Sequence, residues 1–267
     1  MSELRDAETA ATETTAAGVK SARRAIELIE TFAATDAWLT LSELHARTGF
    51  PRSSLHGLIR TLHDAGWLQV DPGGTRYRIG VRALICGTAY LDRDPIMPYV
   101  TEALEHVRDA SGFTAHYARR NGADVVYLET RESRRSVHLV SRVGRTLPCY
   151  ATALGKALLA ELTHDEIDQL LPPAMPALTP NTVTTLAGLH AECTAVRDRG
   201  YAAEVEEGTP GVRCVAAVIP YRIPGTDAMS CSMPVDQVTD ADAARIGELL
   251  VDTTAELGQR LRRAGIR

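Results

Sequence analysis

The sequence has little cysteine and no long apolar run, and both shortages exclude whole classes of protein. Its 267 residues include five cysteines, an odd number without any CxxC pair, which excludes a disulfide framework and a zinc site of regular cysteine spacing. No apolar stretch approaches the ~20 residues that a membrane helix needs, and the acidic first residues lack the basic start of a secretory signal. We therefore expect a cytoplasmic protein with reduced thiols, no membrane partner, and no metal or other cofactor.

The total charge conceals an uneven distribution of charged residues. Hydrophobic residues make up 45% and charged residues 24%, which is ordinary for globular domains, and the length suits two of them. The net charge of −5 by itself argues against nucleic acid as a partner. However, residues 19–82 carry nine Lys or Arg against six Asp or Glu, whereas residues 1–18 carry one against four and residues 83–267 nineteen against twenty-four. A basic module therefore lies within an acidic chain.

The basic module has the pattern of a winged helix-turn-helix domain, which we place at 19–79, after a disordered acidic tail at 1–18. Apolar residues recur at helical spacing in a first helix, a short second helix begins near Thr40, and a third spans about 52–65. A turn-rich tip then joins two short strands into a β-hairpin that ends at Ile79. In such a domain the third helix is braced so that its outer face enters the major groove of DNA.

Candidate DNA contacts are the polar and cationic side chains on the outer face of the third helix and on the hairpin. Arginine and histidine reach phosphates or guanine edges, and serine donates or accepts a hydrogen bond. The predicted contacts are Arg52, Ser53, Ser54, His56, Arg60, Arg76 and Arg78. The alternative is that this helix pair is an ordinary solvated surface.

A linker helix is predicted at 80–95, with Leu84, Ile85, Thr88 and Leu91 on one side. A helix beside a DNA reader commonly pairs with a second copy, because two half-sites need two readers at fixed spacing. Alternatively, the stripe packs within its own chain. A homodimer and a homotetramer are both compatible with the sequence.

Residues 96–267 are predicted to form a second domain of the α+β class. Helices are expected at both ends, and strands fall in hairpin groups, with one strand predicted at 136–142. This order favours a largely antiparallel sheet flanked by helices.

The chain resembles the IclR family of bacterial transcriptional regulators over about residues 19–262. The resemblance is carried by stretches in both halves, among them VKSARRAIELIETF, LTLSELHARTGFPRSSLHGLIRTLHDAGWL, LVSRVGRTLPCYATALGKALLAEL and RDRGYAAEVEEGTPGVRCVAAVI. It implies an N-terminal winged helix-turn-helix, a linker helix and a C-terminal GAF-like effector-binding domain. It also implies homodimers or homotetramers on palindromic double-stranded DNA operators, with a repressor of a catabolic operon as the expected role.

The resemblance further implies that the C-terminal domain binds a small organic carboxylate. A helix predicted at 150–161 begins with small residues and presents backbone N–H groups and the positive end of its dipole, which suits an anion. Ser230 and Ser232 alternate on a predicted strand and so share one face, unless that face is solvated at a sheet edge. By comparison with the family, the site comprises Ala153, Leu154, Glu204, Cys214, Ser230 and Ser232, with an apolar wall of Leu139, Leu147 and Val212.

Two positions depart from the family pattern. Gly57 stands where relatives often have Arg or Lys, which removes one DNA contact from the third helix. Tyr150 stands where many relatives have His, so we expect a phenol to face the ligand. Lys156, nearby, is expected to be a solvated or structural charge close to the surface.

Cysteine chemistry offers two alternatives to a ligand-responsive regulator. Cys214 is either a small core residue, a ligand contact or the nucleophile of an enzyme, although no histidine lies close to it in the sequence. The free thiols would also suit a redox sensor joined to the same DNA reader. We favour a regulator without enzymatic activity.

Overall fold

The computed structural model describes residues 18–133 and 143–267, which form two compact units that divide between Arg93 and Asp94. Most of the predicted tail and the strand predicted at 136–142 lie outside the described residues. No helix within these described ranges is both long and apolar enough to cross a membrane.

The first unit contains four helices and a small antiparallel sheet among its described residues. The elements are α1 (Lys20–Ala33), β1 (Leu39–Thr40), α2 (Leu41–Thr48), α3 (Arg52–Asp64), β2 (Leu68–Val70), β3 (Arg76–Ile79) and α4 (Val81–Asp92). Strand β3 pairs with β2 on one side and with β1 on the other, and the sequence did not predict β1. This arrangement confirms the winged helix-turn-helix fold.

Local signals fix both ends of α2 and so place α3. The Thr40 hydroxyl accepts the Glu43 N–H at 3.3 Å, and the Glu43 carboxylate accepts the Thr40 N–H at 2.7 Å, which forms a capping box. Gly49 ends the helix with φ of +67°, a left-handed conformation that glycine adopts without strain. Apolar side chains of α1, α2 and α3 then close the core of the unit, namely Leu28, Phe32, Leu44, Leu55, Ile59 and Leu62.

In the described residues, the second unit contains a six-stranded sheet with helices on both faces. Its elements are α5 (Met97–Ser111), β4 (Thr114–Asn121), β5 (Asp124–Arg131), β6 (Thr146–Pro148), α6 (Ala153–Leu159), α7 (His164–Leu170), α8 (Leu186–Arg199), β7 (Ala202–Val205), β8 (Val212–Val218), β9 (Asp227–Pro234) and α9 (Asp240–Arg263). The strand order is β6–β5–β4–β9–β8–β7, and every neighbouring pair is antiparallel. The predicted α+β fold with a largely antiparallel, helix-flanked sheet is confirmed.

Alternation along β9 assigns the two faces of the sheet. The Cys231 thiol lies 3.5 Å from the Ser111 hydroxyl of α5, so Cys231 faces the α5 side. Its neighbours Ser230 and Ser232 therefore face the opposite side, where α6 packs against β7, β8 and β9. The chemically distinctive residues of the domain lie on this second face.

Candidate functional site

A cavity of about 310 Å³ lies on the α6 side of the sheet in the second unit. Eight of the nine predicted ligand contacts line it, namely Leu147, Ala153, Leu154, Glu204, Val212, Cys214, Ser230 and Ser232. The ninth, Leu139, lies outside the described residues. The structure thus brings together residues that are up to 85 positions apart in the sequence, from Leu147 to Ser232. Their role as ligand contacts stays a prediction.

The two serines occupy a central strand rather than an edge. Strand β9 pairs with β4 and with β8, and both serine side chains are buried. The Ser232 hydroxyl lies 3.2 Å from the Cys214 sulfur of β8. The alternative of a solvated edge strand is therefore wrong, and both hydroxyl groups face the cavity.

Glu204 is a buried carboxyl group in the cavity wall. It is 5% exposed on β7 and accepts the Glu207 N–H at 2.8 Å. Burial raises the pKa of Glu204 to about 7, because a carboxylate is poorly solvated there. Near neutral pH the cavity therefore contains either a hydrogen-bond donor or a negative charge at this position.

Cys214 shares this part of the cavity but lacks the properties of a nucleophile. Burial and the neighbouring Glu204 raise the pKa of the Cys214 thiol well above its ordinary value. Reactive cysteines instead have a lowered pKa and a cationic neighbourhood. Burial likewise raises the pKa of Cys149, Cys193 and Cys231. The surroundings of these four thiols disfavour the enzyme and redox alternatives.

Sequence reasoning missed two aromatic residues of the cavity, His116 and Tyr127. His116 Nδ1 lies 3.0 Å from the Thr130 hydroxyl, and its ring meets Tyr127 edge-on with centroids 5.4 Å apart. Burial lowers the pKa of His116 to about 4, so the imidazole is neutral. His116 pairs with Ser230 across β4 and β9, so knowledge of that register would have identified it.

Arg145 provides the cavity with a cation that was also not predicted. It precedes β6, is exposed as a residue, and yet lines the cavity, so it lies at the opening. After burial, its charge is the second cause of the low His116 pKa, because the two cationic groups would repel each other.

Tyr150 does not contribute its phenol to the cavity, so that prediction is wrong. Its hydroxyl donates to the Pro176 carbonyl at 2.9 Å, away from the cavity lining. The nearby Thr152 does line the cavity. It also caps α6, where its hydroxyl accepts the Gly155 N–H at 3.0 Å. A short 3-10 turn at Cys149–Ala151 directs Tyr150 elsewhere.

Lys156 was expected near the surface, and this prediction is also wrong. Its side chain is completely buried, and its ammonium group pairs with the Glu207 carboxylate at 2.6 Å. Of the two predicted kinds of charge, solvated or structural, the buried ion pair excludes the solvated one.

The predicted DNA contacts on α3 differ in their surroundings within the first unit. Arg52, Ser53, His56 and Arg60 are exposed. Ser54 is half-buried, and its hydroxyl accepts from the Arg24 guanidinium at 3.3 Å. A groove of about 410 Å³ runs between α3 and the β2–β3 hairpin and is lined by His56, Gly57, Ile59, Arg60, His63, Val70 and Tyr77.

The two hairpin arginines also differ from each other. Arg76 is exposed on β3. The Arg78 guanidinium lies 4.4 Å from the centre of the Trp38 ring and donates to the Gln69 side chain at 2.9 Å. These two contacts therefore set the direction of the Arg78 side chain.

Comparisons with known proteins cover both units. The family model described as the IclR helix-turn-helix domain matches residues 21–72, and the model of the C-terminal domain of the bacterial transcriptional regulator IclR matches residues 88–258. The chain is 29% identical to the HTH-type transcriptional regulator XynR of Escherichia coli, over 91% of this chain and 97% of XynR.

Two solved structures extend the comparison. The repressor BlcR of Agrobacterium tumefaciens is 29% identical, with a TM-score of 0.59 over 94% of this chain and 99% of BlcR. An IclR homologue of Microbacterium hydrocarbonoxydans, solved in complex with 4-hydroxybenzoate, is 22% identical, with a TM-score of 0.75 over 91% of this chain and 99% of the homologue. At this identity the second similarity shows the fold alone.

Proposed function

Because this chain belongs to the IclR family of DNA-binding transcriptional regulators, we propose that it is a repressor whose operator binding is weakened by a small organic carboxylate. Proteins of this family are regulators rather than enzymes and carry a ligand-binding C-terminal domain. The cavity on the α6 side of the sheet is the observation that carries the proposal, since it gathers the predicted ligand contacts in one place.

The chemistry of the cavity supports a carboxylate as the ligand. Arg145 provides a positive charge at the opening, and the buried serine hydroxyls provide neutral donors. The N–H groups of Ala153 and Leu154, the first two of α6, have no partner within the helix, whereas that of Gly155 donates to Thr152. Protonated Glu204 adds a further donor and, as a neutral acid, does not repel an anion. The homologue bound to 4-hydroxybenzoate is an example of a relative with a carboxylate ligand.

Small carboxylates are expected to raise the melting temperature of the protein and to weaken its binding to DNA. A ligand that binds only the native state raises its stability. We expect operator affinity to fall by roughly 5–150-fold, the usual range for coupled sites. Glyoxylate, pyruvate and 4-hydroxybenzoate would be titrated in a thermal-shift assay and then in fluorescence anisotropy with the DNA upstream of the gene.

The amide of each acid is the matched control, since it keeps the shape and removes the charge. Ser230→Ala is expected to weaken binding of the acid by about 1–3 kcal/mol, because it removes a hydroxyl group that donates to the carboxylate. Equal responses to acid and amide would overturn the carboxylate as ligand class. Tighter DNA binding with the acid would overturn release by the effector.

Arg52→Ala is expected to weaken operator binding and to lower its salt dependence. Arg52 is exposed at the start of α3, where a guanidinium reaches DNA phosphates. Each lost phosphate contact reduces the slope of log affinity against log salt by about 1. A dimer, which has two DNA-binding domains, therefore loses about 2 from this slope. Anisotropy from 50 to 300 mM salt, roughly the range in which such slopes are resolved, measures this slope.

The control for Arg52→Ala is Arg245→Ala, which removes an exposed guanidinium from α9 in the other unit. Its affinity and slope should equal those of the unaltered protein. An unchanged slope in Arg52→Ala would remove this residue from the DNA interface.

We also propose that α4 joins two copies into a homodimer. None of its residues, all of which the structure describes, is buried, although Val81, Leu84 and Ile85 on one face of the helix are large apolar side chains more than half exposed. An exposed apolar helix face supports a protein partner. A second copy suits it because a palindromic operator needs two readers.

A further inference from the structure

Lys156 and Glu207 form a buried ion pair behind the wall of the cavity. The Lys156 ammonium group is inaccessible to solvent and lies 2.6 Å from one Glu207 oxygen and 3.5 Å from Glu192. A buried ion pair is rarely more stabilising than an apolar pair of the same size, because both charges lose their hydration. Stability alone is therefore a poor explanation for this pair.

Glu207 holds one wall of the cavity by its backbone. Its N–H donates to the Glu204 carboxyl group at 2.8 Å, and its carbonyl accepts from Thr182 at 2.7 Å. The next two residues, Gly208 and Thr209, line the cavity. At Gly208 a side chain would place its Cβ 2.7 Å from the carbonyl oxygen of Ala151, so the turn lies directly on the opposite wall.

Lys156 lies directly behind that opposite wall. It lies one turn into α6, and its N–H donates to the carbonyl of Thr152, the cap residue that lines the cavity. The ion pair thus joins the start of α6 to the turn that carries the hydrogen bond to Glu204.

We propose that the Lys156–Glu207 pair is a positioning element that holds Glu204 in place and sets its protonation state, so that the cavity accepts an anion near neutral pH. The link to anion acceptance rests on the proposed function. The link to protonation is tested separately, without an effector.

Opposing charges act on Glu204 from the elements around it. Burial is the largest cause and raises the pKa of Glu204, and the hydrogen bond from the Glu207 N–H lowers it. The negative charge of Glu207 raises this pKa, and the positive charge of Lys156 lowers it. Cys214 of β8 contributes a hydrogen bond that also lowers it. The other ionisable groups lining the cavity are His116, Tyr127 and Arg145. Loss of the Lys156 charge should therefore raise the pKa of Glu204, and loss of the Glu207 charge should lower it.

The Glu204 carboxyl group can itself report on this titration. We would label glutamate with ¹³C at the side-chain carboxyl carbon and follow the NMR chemical shift of Glu204 as a function of pH, because this shift changes when the carboxyl group ionises.

In the unaltered protein the Glu204 signal is expected to change with a midpoint at its raised pKa of about 7, because burial disfavours the ionised carboxylate. Glu204→Gln should abolish this signal and thereby assign it. Lys156→Met should move the midpoint to higher pH, and Glu207→Gln should move it to lower pH. A merely structural pair predicts the same direction in both variants, since loosening hydrates Glu204 and lowers its pKa in each.

Midpoints that do not move, or that move together, overturn the proposal. Circular dichroism identifies any variant that does not fold. If one of the two variants of the pair fails to fold, Glu192→Gln replaces it in the test. Glu192 lies at the solvent-accessible end of the cluster, 37% exposed, and its loss leaves Lys156 less compensated. Its midpoint must move to lower pH, and an unchanged midpoint is a contradiction. If midpoints move as expected while no carboxylate binds, only the proposed ligand class fails.

Discussion

Replacing Gly155 with alanine is expected to destabilise the second unit by more than about 3 kcal/mol, the upper range for overpacking. A Cβ at this position would overlap the Cα, carbonyl carbon and carbonyl oxygen of Cys149. These are backbone atoms of the turn before α6, and the Cys149 N–H is itself bonded to the Ala123 carbonyl at 2.9 Å. No flexible side chain can move aside to relieve the overlap.

Urea unfolding followed by circular dichroism measures this loss. The matched control is Gly57→Ala, which adds the same methyl group within helix α3, where the new Cβ meets no atom within 4 Å. That variant should gain up to about 1 kcal/mol from helix propensity. A Gly155→Ala protein as stable as the unaltered one would show that the turn and α6 pack less closely than the structure indicates.

The first unit was predictable because its signals are local. The cap of α2 at Thr40 and the helix end at Gly49 are set by residues within four positions of each other. The stripe of α3 depends only on the helical period. The two-residue strand β1 was missed because it exists only through its pairing with β3, in which Leu39 lies opposite Tyr77, 38 positions along the chain.

The cavity residues that the family resemblance named were predictable. The other side chains were not, because their position in the cavity depends on strand register and burial. His116 faces the cavity because β4 pairs with β9, more than one hundred residues later. The burial of Lys156 depends on Glu207, which no spacing rule connects to it. Tyr150 points away because a single 3-10 turn rotates it. Each of these outcomes depends on tertiary packing rather than on local pattern.

Leu84→Glu is expected to separate the proposed dimer into monomers and to weaken operator binding by roughly a hundredfold or more. Leu84 is 65% exposed on α4, and the neighbouring Ile85 is 61% exposed. A charge placed in an apolar contact between two copies loses its hydration without a partner. A single DNA-binding domain then binds without the roughly 10²–10⁴-fold gain in affinity that two linked domains have.

Cys86→Glu is the matched control for this change. Cys86 is exposed on the same helix two positions later, which is about 200° around the helix axis from Leu84 and so on its far side. The same new charge there should leave both the mass measured by light scattering and the affinity measured by anisotropy unaltered. Monomers in both variants would indicate that glutamate harms α4 itself, whereas a Leu84→Glu dimer with full operator affinity would place the contact between copies elsewhere. Only a loss confined to Leu84→Glu supports the apolar face of α4 as the contact that sets the spacing of the two readers.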